Sequence, residues 1–82
     1  MTRAEMFAVV KANIERIVED AEGKPMSEEI SLRELGADSL QIVEVVSRSM
    51  KELRVKVPRT ELSKARSLKD LLDLFERAMA AA

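Results

Sequence analysis

Gly36, Ala37, Asp38, Ser39 and Leu40 stand together near the middle of the chain: a glycine turn, then a carboxylate and a primary hydroxyl just ahead of an apolar run. Asp38 is a favoured N-cap, and Gln41, three residues on, completes a capping-box-like pair, so Ser39 is the first helical residue. A hydroxyl there lies beside unpaired backbone N–H groups and the positive end of a helix dipole. That setting suits a phosphate ester, although the Asp38 carboxylate opposes part of the benefit. The tripeptide Asp-Ser-Leu alone is equally what an ordinary helix start looks like.

Other chemistry is scarce. The chain has 82 residues, no cysteine and no histidine, which removes disulfides, thiolate metal sites, the commonest general base and the commonest zinc ligand. Acidic residues are plentiful, but no spacing assigns a paired-carboxylate site, so catalysis by the chain alone is not expected. No basic and apolar signal segment opens the sequence, and no apolar stretch approaches the ~20 residues that span a bilayer. A cytoplasmic monomer without membrane attachment is expected.

The net charge of −1 conceals local balances: five basic and nine acidic residues over 1–38, five and two over 39–59, and four of each over 60–82. The basic middle has no aromatic residue or continuous Lys/Arg run with which to stack on or track nucleic acid. Nucleic-acid binding is therefore not expected.

The elements that must position Ser39 follow from period and punctuation. Thr2 and Glu5 form a capping box ahead of a stripe of Met6, Phe7, Val10, Ile14, Ile17, Val18 and Ala21. Gly23 and Pro25 open a long loop in which Ile30, Leu32 and Leu35 tuck back onto the bundle, with a single capped turn from Ser31 to Glu34 ending at Gly36. In the second helix Leu40, Val43, Val46, Met50 and Leu53 read as the core stripe, and Ile42 and Val45 as apolar excess that a partner could cover. Pro58 permits a short third helix with Leu62 and Ala65 inward. Ser67 and Asp70 box a fourth helix bearing Leu68, Leu71, Leu72, Phe75 and Met79 before an alanine tail. The expected fold is all-α: a single domain over residues 1–82, a four-helix bundle with a short third helix and a long loop between the first two.

The sequence Gly36-Ala37-Asp38-Ser39-Leu40 resembles the motif of the acyl carrier protein family, whose serine carries 4′-phosphopantetheine. The likeness continues through Val43, Glu44, Val46, Pro58 and the last apolar helix near Phe75, covering essentially the whole chain. It implies a four-helix carrier that holds acyl groups as thioesters on the flexible arm of Ser39 and is not an enzyme. The thiol would arrive on the cofactor, in keeping with a chain that lacks cysteine. The implied partners are a phosphopantetheinyl transferase, whose metal ion Asp38 would help to position, and enzymes of the acyltransferase and ketosynthase type.

Departures from the family pattern bear on partners. The second helix is usually acidic in this family, whereas here Gln41, Ile42, Ser47, Arg48, Met50, Lys51 and Arg54 replace much of that charge. Asp38, Leu40, Ile42, Val45, Arg48 and Lys51 are the expected partner contacts, with selection by charge and apolar complementarity. The segment from Val57 to Phe75, opening with proline and Arg59, is similar to donor carriers of polyketide β-branching systems. Those deliver an acetyl or propionyl group to an enzyme resembling hydroxymethylglutaryl-CoA (HMG-CoA) synthase, with Arg59 as a candidate discriminating contact. A general fatty-acid or other biosynthetic carrier is the alternative, and an unmodified helical adaptor is the reading from another class.

Overall fold

The structure, a computed structural model, describes residues 1–81 apart from Glu22 and the side chain of Asp20. Ala82, the end of the alanine tail, lies outside the described residues. Among those residues every regular element is helical: α1 (Arg3–Ile17), a 3-10 turn (Glu19–Ala21), α2 (Ser39–Leu53), α3 (Arg59–Leu62) and α4 (Leu68–Ala81).

Each long helix starts where its side chains satisfy first-turn amides. At α1, Thr2 Oγ1 accepts from the Glu5 N–H at 3.2 Å, and Glu5 Oε1 accepts from the Thr2 N–H at 2.8 Å. At α4, Ser67 Oγ accepts from the Asp70 N–H at 3.3 Å, and Asp70 Oδ2 accepts from the Arg66 N–H at 2.9 Å. The expected stripe on α1 extends through Val18 and Ala21, but the helix stops at Ile17. Val18 turns to extended backbone at φ −103, and both side chains reach the core from the cap and the 3-10 turn.

The loop between α1 and α2 is pinned at both levels the sequence suggested. Ser31 and Glu34 cap each other's backbone N–H at 3.1 and 3.2 Å, Leu35 is fully buried, and Gly36 reverses the chain at φ 99. The loop also seals the start of α4, because the Ile30 and Glu28 carbonyls accept from the Leu68 and Lys69 N–H groups at 2.9 and 2.7 Å. Arg3 then ties three segments together: it pairs with Glu28 of the loop at 2.6 Å, with Asp73 of α4 at 2.8 Å, and with Glu76.

The core lies between α1, α2, α4 and the loop. Met6, Val10 and Ile14 meet Leu35, Val45, Leu72 and Phe75, each at 1% exposure or less. Closing α2, the Val55 N–H reaches back to the Met50 carbonyl at 3.0 Å, which places Arg54 in the left-handed region at φ 58, ψ 42. Helix ends usually give that conformation to glycine; arginine holds it at a cost of about 1 kcal/mol.

Candidate functional site

Ser39 is the first residue of α2, with Asp38 as its N-cap. Asp38 Oδ1 accepts from the Gln41 N–H at 2.8 Å, Gln41 Oε1 accepts from the Asp38 N–H at 3.0 Å, and the Gln41 amide also donates to the Ile17 carbonyl of α1 at 3.2 Å. This second tie fixes the start of α2 against the end of α1. Asp38, Ser39 and Leu40 are all exposed, and none of the side-chain hydrogen bonds among the described residues uses the Ser39 hydroxyl. Asp38 Oδ2 likewise has no partner among them.

The other expected contacts separate by their position around α2. Leu40 is 82% exposed, and Arg48, Lys51 and Arg59 are exposed as well. Val45 is not a surface residue: it is 0% exposed and belongs to the core, which corrects its expected role in docking. Ile42 is half-buried, packed against the core, and lines an open groove of about 630 Å³ with Leu32, Leu62, Ala65, Leu68 and Leu71. Val43 and Leu40, both expected on the inward stripe, are instead 58% and 82% exposed.

One cause accounts for these corrections. The buried face of α2 is centred on Ser49, whose Oγ accepts from Asn13 Nδ2 at 3.2 Å with both residues buried. A stripe drawn through apolar residues alone passes over that polar centre. At 3.6 residues per turn, Val43 lies about 120° and Leu40 about 180° around the helix from Ser49. Val43 is therefore a surface residue that the apolar stripe hid, one turn from Ser39, and its i, i+4 spacing from Ser39 is the signal that could have found it. Asn13 and Ser49 were also legible as polar residues interrupting apolar stripes.

Residues 10–75 match the family model described as the phosphopantetheine attachment site. The chain is 30% identical over 82 residues to the polyketide biosynthesis acyl-carrier-protein AcpK of Bacillus subtilis, covering 99% of this chain and 100% of that protein. The chain belongs to the acyl carrier protein family. This carrier is also 34% identical over 64 residues to the acyl carrier protein of Campylobacter curvus, covering 78% of this chain and 82% of that one. Solved structures of similar fold include the following two. One is the complex of the curacin biosynthetic pathway HMG synthase with its acetyl donor-ACP (TM-score 0.80, 31% identity, 92% of this chain and 96% of that one). The other is an acyl carrier protein from Thermotoga maritima (TM-score 0.78, 29% identity, 96% and 92%).

Phosphopantetheine is the cofactor of this family, and the carrier itself is not a catalyst. The start of α2 fits that group: it offers an exposed primary hydroxyl, first-turn amides whose dipoles favour a phosphate, and an apolar neighbour in Leu40. Among the described residues no group of three or more His, Cys, Asp or Glu side chains could hold a metal ion, and no helix is long and apolar enough to cross a membrane.

Proposed function

We propose that Ser39 Oγ carries the phosphopantetheine arm, and that the carrier presents an acetyl or propionyl group to an HMG-CoA-synthase-like enzyme in polyketide β-branching. The observation that carries the first part is the exposed Ser39 hydroxyl at the capped start of α2. The β-branching reading is supported by the likeness to the acetyl donor-ACP bound to the curacin HMG synthase, and the polyketide setting by the likeness to AcpK. Bound to Ser39, the arm supplies a thiol that holds the acyl group as a thioester.

The chain's own residues would do three things. Asp38 keeps Ser39 at the first helical position and leaves one carboxylate oxygen open toward the phosphopantetheinyl transferase. Leu40 and Val43 give an arriving enzyme an apolar landing beside the arm. Attachment raises the local concentration of the acyl group at each partner's active site without its release. The groove lined by Ile42 lies beside this start.

The test has two stages. Coexpression with a permissive transferase should add one phosphopantetheine to the wild type and none to Ser39→Ala, read by intact mass. The acetyl-loaded carrier should then be consumed by the curacin HMG synthase with an acetoacetyl-type group on a second carrier, and Arg59→Glu should slow that step. Equal consumption of a standard fatty-acid carrier, with no effect of Arg59→Glu, would favour a general biosynthetic carrier, a reading kept alive by the Campylobacter curvus and Thermotoga maritima relatives.

A further inference from the structure

Residues 48–59 hold five basic side chains, Arg48, Lys51, Arg54, Lys56 and Arg59, against the single acid Glu52, in a chain whose net charge is −1. All five are exposed, and among the described residues only Arg48 has an ion-pair partner, Glu44 at 3.9 Å. Acidic side chains instead gather around Arg3. Within the basic stretch an open groove of about 630 Å³ is floored by Met50, Val55, Val57 and Pro58 and rimmed by Lys51 and Lys56.

We propose that this end of α2 and the turn after it form a second contact surface, distal to Ser39, for an acidic enzyme surface that offers an apolar side chain at its centre. The proposal rests on the carrier reading, since it requires an enzyme that comes for the arm. Charge complementarity sets the sign of the partner, and the recessed groove between two lysines sets the pattern of its contact. Ser39, Val43 and Ser47 succeed one another at i, i+4 spacing along the same side of α2, so the groove continues the surface that begins at the arm. Lys51 lies about 18 Å along the helix from Ser39 at 1.5 Å per residue. An enzyme can therefore rest on this surface while the arm enters its active site.

Arg54 adds an independent observation. It occupies the left-handed position at φ 58 that glycine would hold without strain, yet the chain places a cation there. Nucleic acid and lipid fit the same surface less well. Phe75 is fully buried and Phe7 half-buried on α1, which leaves no aromatic ring in the stretch to stack on bases. Of its apolar residues Val55 is buried and Met50 and Val57 are half-buried, which leaves only Pro58 exposed, too little for an apolar face that enters a bilayer.

The experiment titrates isotope-labelled holo carrier with a synthetic helical peptide of glutamates around a central leucine, and separately with single-stranded DNA and with phosphatidylserine vesicles. The peptide should shift the amides of residues 48–59, less so as salt is raised, and Lys51→Glu with Lys56→Glu should weaken its binding roughly tenfold. Arg54→Gly should weaken binding while melting no lower than wild type, which separates contact from folding. No peptide shifts in this stretch, or tighter binding of the oligonucleotide or vesicles, would overturn the proposal. A carrier that gains its arm normally but ignores the peptide defeats this inference alone; a carrier that never gains the arm defeats the reading beneath it.

Discussion

Asn13 Nδ2 donates to Ser49 Oγ at 3.2 Å across the interface of α1 and α2, with Asn13 1% and Ser49 0% exposed. The bond lies on the same buried face of α2 as Val45, Val46 and Leu53, and Leu40 projects from the opposite side.

Removing one member of the pair strands the other. Ser49→Ala is expected to destabilise the fold by about 1–3 kcal/mol in urea melts, because the Asn13 amide loses its buried partner. Asn13→Leu combined with Ser49→Ala should cost less than the two single changes summed. Strict additivity would mean that the bond contributes no coupling.

Burial separates two neighbouring valines. Val43→Asp should fold and melt near wild type, since Val43 is 58% exposed, whereas Val45→Asp places a charge at a 0% exposed position and should prevent a cooperative transition. Leu71→Ala, at a 4% exposed position, should cost about 2–5 kcal/mol. Circular-dichroism melts of the three variants give the comparison.

At the start of α2, Asp38→Ala is expected to lose about 1 kcal/mol with the capping bond to the Gln41 N–H. Ser39→Ala should leave the melt unchanged, because its side chain is exposed and its hydroxyl makes no side-chain hydrogen bond among the described residues. If Ser39→Ala melted well below wild type, the hydroxyl would have a structural role.

Stability should fall on the acid side in a way that depends on Arg3. Hydrogen bonds from its guanidinium hold the Glu28 and Asp73 carboxyls below their ordinary range, and Lys69 adds to the effect on Asp73. Both groups therefore bind protons more weakly in the folded state. Their stabilising contribution is complete above the ordinary carboxylate pKa of about 4 and is lost as pH drops through the lowered folded values. Arg3→Met should melt lower than wild type at neutral pH and lose less on acidification. Parallel pH profiles for the two proteins would contradict this.

Local chemistry was legible in the sequence wherever a side chain acts on its own backbone neighbours. Thr2 with Glu5, Ser31 with Glu34, Asp38 with Gln41, and Ser67 with Asp70 each satisfy amides three residues away, so their helix and turn starts follow from spacing alone, as does the place of Ser39. Gly36 at φ 99 belongs with them, since only the local backbone demands it. Orientation between elements depended on contacts far apart in the chain. Asn13 met Ser49 on the face of α2 that buries Val45, Val46 and Leu53 and leaves Val43 outside, and Arg3 reached Glu28, Asp73 and Glu76 at distances no helical period encodes. A hydrophobic stripe locates a buried face only when apolar residues mark its centre. On α2 the centre is a serine whose polarity is satisfied by another helix, and the tertiary structure alone supplies that partner.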